Sequence, residues 1–478
     1  MSEDDSNLNI LFVSGECLPF CANGGVADMT FALSKYIDKY DNADVRVALP
    51  LYQNIPDEYK SLFKLVGERT IELNWRKIEC AIYEYKWNEI TYYFIDNKQY
   101  FGRDRLYGYD DDIERFCFFC KAVLEMFPIV SFYPDIIHAN DWQSGMTCVF
   151  LKVLEWQNPK YEHIKSVFNI HNLTYQGKTD FSMVKDLLNI DDKFAYLFDF
   201  FGEANITKAS LLCADGVVVV SETYKEEITA TDKGNGLQNI FEQIDHKFYA
   251  IGNGIDYEYY NPSTDPSIYE KFDENTLDKR ITNKIKLQEE LGLDVNPDAP
   301  LFGFVGYMTT IKGMDLVKEI LEEFIQKGIQ FVSVGGGSEE YEFFMRSLNE
   351  KYPTSVKIMF KYDRAYAKKI YSGADFLFNI SSVEPGGLCP MIANKYGCLP
   401  IIYKTGGLKD NFFDFKNEDG NAYVLTSYDK NTLTDLIDGI LKDFENKEKM
   451  QKYIEMGMKK DFNITKCAEK YFKLYNEI

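Results

Sequence analysis

Short runs that are apolar throughout alternate with stretches of helical period, and the alternation occurs twice in the chain. NILFVS (residues 9–14) is the first run and is followed by a Gly24-Gly25 turn. Val26, Met29, Leu33, Ile37 and Tyr40 then recur at helical spacing before the next run, DVRVAL (44–49). Strand, helix and strand in that order make a βαβ unit. TYYFID, DIIHA, SVFNI and GVVVV continue the series. After about residue 250 it restarts with LFGFVG (301–306), FVSV (331–334), VKIMF (356–360), DFLFN (375–379) and LPII (399–402). A strand exposed on one face would alternate apolar with polar residues. Runs apolar at every position predict strands covered on both faces, as in a parallel sheet flanked by helices. The expected fold class is α/β, with two doubly wound domains. Their expected spans are 1–248 and 249–460, with a linker near 246–258, and 461–478 is expected as a closing helix within NITKCAEKYFKLYNEI. The length of 478 residues agrees with two or three domains of ~100–200 residues each.

Charge narrows the partners. Lys and Arg number 53 against 75 Asp and Glu, a net charge of −22. Such a field repels nucleic acid and anionic membrane surfaces, so neither is an expected partner. An anionic small molecule requires local cations or helix N-termini to offset it. The start, MSEDDSNLNI, has no basic region, and no apolar run approaches the ~18 residues of a spanning helix. The ten cysteines lack zinc-like double-pair spacing. Cys117 and Cys120 lie in IERFCFFCKAVLEMF, which reads as a buried helix, so they are expected to pack in the core. Free thiols point to a reducing cytosol, and the expected location is cytoplasmic. Asp110-Asp111-Asp112 reads as an exposed acidic turn, and no metal site is expected.

Several loops that follow strands carry chemistry-bearing residues. Gly24-Gly25 lets a phosphate or sugar approach the backbone at a helix N-terminus, where Asp28 is also a favourable first-turn acid. HANDWQSG (138–145) sets Asp141 beside Trp142, a pairing that suits sugar hydroxyls and equally suits a helix cap with a core aromatic. NIHNLTYQG (169–177) surrounds His171 with Asn169, Asn172, Tyr175 and Gln176. In the second half, VGYMTTIKGMDL (305–316) puts Lys312 just before a helix, against its dipole, which favours an anion-binding role. SSVEPGGLCPMIANKYG (381–397) places Glu384 before two glycines. The backbone N–H groups from Gly386 through Gly387 and Leu388 to Cys389 could hold a diphosphate there. TGGL (405–408) is a further Gly pair after a strand.

In this order the segments resemble those of bacterial glycogen synthases and plant starch synthases, retaining glucosyltransferases of the GT-B architecture. The resemblance runs from ILFVSGECLPF through IHANDWQSG, FNIHNLTYQG, FGEANITKASLLCADGVVVVSETY, IGNGIDYEYYNPSTD, KGMDL, YSGADF and EPGGL to TGGL. It implies two Rossmann-like domains facing a cleft that holds a nucleotide-sugar donor, ADP-glucose or UDP-glucose. The implied acceptor is the non-reducing end of an α-1,4-glucan, and no cofactor or metal is implied. Glu384 falls on the acid that hydrogen-bonds the donor glucose, and His171 on the histidine at the reacting sugar. Asp141 falls on the acid of the HxxDW loop. Gly24, Gly25 and Asp28 fall on the donor-binding first loop, and Asn253 on the polar residue of the NGID segment. Lys312 falls on a diphosphate-binding lysine, and Tyr362 where an aromatic packs on the base.

The chain also departs from that pattern. Where the family reads Lys-x-Gly-Gly, this sequence reads Ala22-Asn23-Gly24-Gly25, and Tyr307 replaces an arginine five residues before Lys312. EPGGLCP stands for EPCGLTQ, so Gly386 replaces a cysteine and Cys389-Pro390 replaces Thr-Gln. Two of three expected phosphate-binding cations are missing. A catalytically impaired paralogue that binds glucan or nucleotide sugar, or acts as an interaction subunit, is the alternative expectation.

Overall fold

The computed structural model describes residues 7–155, 159–188 and 192–478. They form two compact units. The first runs to Gly252 and takes back Ile464–Ile478; the second is Asn253–Asn463. Within the stretch 246–258 lies the last strand of the first unit, and the division falls between Gly252 and Asn253.

The first unit is built on one sheet. Its strands are β1 (Leu8–Val13), β2 (Ala43–Pro50), β3 (Lys64–Leu73), β4 (Arg76–Trp87), β5 (Ile90–Asp96), β6 (Ile136–Asn140) and β7 (Lys165–Ile170). Three short strands, β8 (Lys178–Asp180), β9 (Asp199–Phe200) and β10 (Glu203–Asn205), make a separate small sheet. β11 (Gly216–Val219) and β12 (Phe248–Ala250) complete the main one, ordered β12-β11-β7-β6-β1-β2-β5-β4-β3. β1 pairs in parallel with β2 on one side and β6 on the other, and Ile10 through Val13 are fully buried. All six apolar runs expected as strands in this half are strands.

The β3–β4 hairpin was not expected. It extends the sheet in the antiparallel sense, with Leu73 paired to Arg76 and Trp87 to Ile90. Charges at Lys64, Glu68, Arg69 and Glu72 on one strand and at Arg76, Lys77, Glu79, Glu84 and Lys86 on the other interrupt its apolar residues, because much of the hairpin is open to water, so no apolar run marks it. The turns Asn74-Trp75 and Asn88-Glu89 also lack the glycine that usually signals a two-residue hairpin; Asn74, Asn88 and Glu89 take positive φ without it.

The second unit repeats the parallel design with β13 (Leu301–Val305), β14 (Gln330–Val334), β15 (Val356–Met359), β16 (Phe376–Asn379), β17 (Leu399–Tyr403) and β18 (Tyr423–Leu425). The order is β15-β14-β13-β16-β17-β18, all parallel. Apolar side chains pack on both faces, one layer centred on Phe302, Phe331 and Phe376, the other on Val332, Leu377 and Ile402. The five expected strands form, and β18 is an addition.

Cys117 and Cys120 lie inside the helix Asp112–Val130, buried and free, and burial pushes the Cys120 thiol up to about 12. They pack in the core. Asp111 of the acidic turn is held by both Nη atoms of Arg103, at 2.6 and 2.5 Å. The C-terminal helix Thr465–Glu477 packs its aromatic face into the first unit. Tyr40 stacks on Phe472 at 4.3 Å, and the buried His138 ring lies on Phe12 with Nδ1 2.5 Å from the Tyr475 hydroxyl. Burial lowers the His138 pKa to about 3, so the ring is a neutral core member. Tyr471 is fully buried with its ring 5.2 Å from that of His138. Tyr471→Ala should therefore cost the first unit ~3–5 kcal/mol in denaturant unfolding, the range for emptying a buried aromatic site. A loss under about 1 kcal/mol would mean that the helix is not part of this core.

Candidate active site

In each main sheet one strand has neighbours from opposite directions of winding. β1 lies between β2 and β6, and β13 between β14 and β16. Loops diverge at the carboxyl ends of strands at such a point and leave room for a ligand. Most of the residues singled out from the sequence sit on those loops.

In the first unit, Asp141 opens the helix Asp141–Glu155 directly after β6. Its φ is +56°, a left-handed conformation that Asp adopts more readily than most residues but still at a cost. The twist turns its carboxylate toward the loop after β7, where Oδ1 accepts the backbone N–H of His171 at 2.8 Å and of Asn172 at 3.3 Å. Despite these bonds, withdrawal from water raises the Asp141 pKa to about 7, and the Glu16 carboxylate adds to the rise. His171 is 8% exposed, and burial lowers its pKa to about 4. Its Nε2 is 2.8 Å from Asn140 Oδ1 and 3.0 Å from Asn169 Nδ2. The ring is thus neutral, with Nε2 either donating to Asn140 Oδ1 or accepting from Asn169 Nδ2, and is suited to hydrogen bonding rather than to carrying charge.

Other residues of these loops have structural work. Gln176 is buried and joined to Asn205 at 2.6 Å, and Trp142 is wedged between Phe116 and Gly177, where a Cβ on Gly177 would meet the indole at 2.6 Å. Tyr175 is exposed. Gly24 and Gly25 are exposed at the start of the helix Gly25–Ile37, with Asp28 half-buried in its first turn. A Cβ on Gly24 would meet nothing within 4 Å, so the glycine leaves the approach to the helix N-terminus open.

In the second unit, Lys312 ends the short turn before the helix Met314–Gln326. It has a partner that the sequence did not disclose: its Nζ is 2.6 Å from Glu384 Oε2. Ser381 Oγ donates to the same oxygen at 2.9 Å. The Glu384 side chain is 12% exposed and that of Lys312 39%, so the carboxylate is shielded while the ammonium stays partly open to water. Gly386 and Gly387 follow, and Gly387, at φ +74°, caps the helix Leu388–Lys395. The TGGL segment is the buttress of this loop. Gly407 N–H donates to the Glu384 carbonyl at 3.1 Å, and Gly406, at φ +44°, lies where any Cβ would collide with that carbonyl.

Leu388 and Cys389 are half-buried, with Cys389 Sγ 4.0 Å from the Val305 carbonyl at the end of β13. Tyr371 lies beside both Cys389 and Tyr362, which brings Tyr362 to the same side of the unit. Tyr307 is 60% exposed on the loop that carries Lys312. Asn253 is the first residue of the unit, half-buried, with no hydrogen-bond partner for Oδ1.

Sequence reasoning missed Glu16. Its buried carboxylate accepts the backbone N–H groups of Asn23 and Gly24, the latter at 2.9 Å. The available signal was an acid three residues beyond a buried strand, directly before the apolar stretch Cys17–Ala22.

The raised pKa of Asp141 has a consequence for stability. A carboxyl whose folded pKa exceeds its unfolded value stabilises the fold while protonated, and that contribution is lost as pH rises from about 4 to about 7. Because both N–H bonds fall on Oδ1, Asp141→Asn keeps them and removes the charge. The variant should be more stable than the parent by on the order of 1 kcal/mol or more at pH 8, and equal to it near pH 4. Thermal unfolding at the two pH values reads this; a variant less stable at pH 8 would show that the carboxylate is not strained.

Residues 9–243 match the family model of the starch synthase catalytic domain, and residues 288–456 that of glycosyl transferases group 1. Glycogen synthase of Clostridium novyi (strain NT) is 38% identical over 477 residues, covering 98% of this chain and 99% of that protein. Glycogen synthase of Anoxybacillus flavithermus is 36% identical over 475 residues, 98% of each. The catalytic domain of starch synthase IV from Arabidopsis thaliana, bound to ADP and acarbose, superposes with a TM-score of 0.90 at 26% identity over 99% of both chains. Sucrose-phosphate synthase from Thermosynechococcus elongatus shares the fold, with a TM-score of 0.61 at 17% identity over 98% of this chain and 99% of that one. The chain belongs to the glycogen and starch synthase family, glycosyltransferases with the two-domain GT-B fold.

Proposed function

We propose that the chain transfers glucose from a nucleotide sugar, ADP-glucose in preference to UDP-glucose, to the non-reducing end of an α-1,4-glucan with retention of configuration. The observation that carries this reading is the Glu384–Lys312 pair at the topological switch point of the second unit, and the starch synthase IV catalytic domain on which the chain superposes is described as bound to ADP. As the bond from glucose to the nucleotide breaks, negative charge grows on the departing diphosphate. Lys312 and the backbone N–H groups at the start of the helix Leu388–Lys395 offset that charge electrostatically. Glu384 receives hydrogen bonds from the donor glucose, and neutral His171 bonds the reacting sugar. Asp141 Oδ1 is committed to two backbone N–H groups, which leaves Oδ2 to receive a sugar hydroxyl. The departing phosphate takes the proton of the acceptor hydroxyl on the face it leaves, so no resident metal or cofactor enters the proposal. All ten cysteines are free thiols, which suits a cytoplasmic setting, and among the described residues no helix is long and apolar enough to cross a membrane.

A second reading has a specific observation in its favour. Position 22 is a half-buried Ala and position 307 an exposed Tyr, where the family carries cations. On that reading the chain binds nucleotide sugar or glucan and transfers little. A transfer assay with ADP-glucose and UDP-glucose and glycogen as acceptor separates the readings: incorporation from ADP-glucose supports the first, and binding without incorporation the second.

Glu384→Ala should lower transfer more than tenfold with the thermal midpoint nearly unchanged, since hydrogen bonds to a charged group contribute ~1.5–3 kcal/mol. Retention of more than about a tenth of the activity would remove Glu384 from the donor site. Tyr307→Arg and Ala22→Lys should each raise donor affinity, the arginine through bidentate geometry, and together should raise turnover about tenfold, or ~1.4 kcal/mol. No change in affinity or turnover would mean that these positions do not face a diphosphate.

A further inference from the structure

Glu16 lies in the loop between β1 and the helix Gly25–Ile37 and is 5% exposed. Its Oε2 accepts two successive backbone N–H groups, of Asn23 and Gly24, so one buried oxygen fastens the turn that presents Gly24 and Gly25. The base of the loop is braced in turn. Glu16 N–H donates to Ser14 Oγ at 3.2 Å, Ser14 Oγ donates to the Glu16 carbonyl at 2.7 Å, and Thr30 of the following helix donates to Ser14 Oγ at 3.1 Å. β1 pairs with β6 with Val13 opposite Ala139, which carries the Glu16 loop alongside Asp141. Gly15 is in contact range of Gln143, with its Cβ direction 3.5 Å from the Gln143 Cβ.

We propose that Glu16 is a positioning residue of the transfer site, fixing the Gly24-Gly25 turn through its two backbone hydrogen bonds and holding a negative charge against Asp141. The proposal rests on the transferase reading above. Asp141 is faced by Glu16 from the β1 loop, by the backbone N–H groups of His171 and Asn172 from the β7 loop, and by the Tyr224 hydroxyl from the helix Glu222–Ala230. Tyr224 is engaged with the Leu173 N–H at 3.1 Å, and its burial holds the phenol neutral. The His171 ring is neutral as well, and Glu16 is the acid of this set whose charge acts on Asp141. A negative charge there opposes ionisation of Asp141, so its removal makes Asp141 ionise at lower pH.

Two substitutions divide the roles. Glu16→Ala removes the acceptor and the charge; Glu16→Gln keeps a carbonyl oxygen for the two N–H groups and removes only the charge. Steady-state transfer by the full chain is measured across the neutral pH range at varied donor concentration. Glu16→Ala should raise the donor KM about tenfold or more, the effect of stripping buried N–H groups of their acceptor. Glu16→Gln should restore most of that KM, while the acid limb of its kcat profile moves to lower pH. An unchanged KM in Glu16→Ala, an equal KM rise in both variants, or an unmoved limb in Glu16→Gln overturns the proposal. If the parent chain transfers no glucose, the function reading fails instead, and ADP titration calorimetry still tests the turn: Glu16→Ala must bind ADP more weakly than Glu16→Gln, and equal affinity overturns it. If Glu16→Ala does not fold, the limb of Glu16→Gln against the parent decides.

Discussion

Parallel pairing is the constraint from which the rest of this structure follows. A parallel strand cannot be joined to its neighbour by a tight turn, so the chain must cross a face of the sheet in a helix and return. Each crossing buries the strand on that face and leaves its carboxyl end beside the start of the next helix. Where the winding reverses, at β1 between β2 and β6 and at β13 between β14 and β16, two such loops part. Gly24, Asp141 and His171 lie on loops of the first unit that leave strands at or beside this point. Lys312 and Glu384 lie on the two loops that part in the second.

The two units solve the problem of burying polar groups differently. The second uses opposite charges. Lys312 and Glu384 meet at 2.6 Å with Ser381 on the same oxygen, and glycines at 406 and 407 let the backbone of another loop lean directly on the Glu384 carbonyl. Loss of Glu384 would leave a Lys312 side chain that is 39% exposed and can turn to water, so the pair organises the loop more than it stabilises the fold. The first unit places its groups on neutral footing. His171 is uncharged, the Asp141 pKa is raised to about 7, and backbone N–H groups donate to the carboxylates of Asp141 and Glu16. The chemistry available is hydrogen bonding to hydroxyls on one unit and compensation of anionic charge on the other.

The long inner strands of the two main sheets were legible because burial on two faces leaves an unbroken apolar run, as in NILFVS and LFGFVG, whereas the three-residue edge strands β12 and β18 are too short to make one. The β3–β4 hairpin was not, because charges on its water-exposed surface interrupt its apolar residues and its turns take positive φ at Asn and Glu rather than at Gly. Lys312 and Glu384 were each visible as unusual residues beside helices, but 72 residues of sequence separate them, and nothing local announces their contact. Glu16 was hidden for a related reason. Its function in the fold is to accept N–H groups seven and eight residues later, and main-chain donors carry no signature in the side-chain sequence. The TGGL glycines were visible as punctuation, yet their need for φ +44° at Gly406 and for close approach to Glu384 is a property of the packed loop.

Three unfavourable features converge on Asp141. Its backbone occupies the left-handed region, its carboxyl is withdrawn from water, and the nearby charge is the Glu16 carboxylate. Each costs stability, and a short helix cap at this position requires none of them, since Ser or Asn in an extended conformation would cap the helix after β6 more cheaply. The cost is sustained by surroundings that over-determine the geometry: β6 fixes the preceding residue, and two N–H groups hold Oδ1. Features that are separately costly and jointly maintained at a strand's carboxyl end mark a site shaped for something other than the fold. The remaining oxygen of Asp141 is the group that the backbone N–H groups leave available, and burial, with a smaller contribution from the Glu16 carboxylate, raises its pKa to about 7.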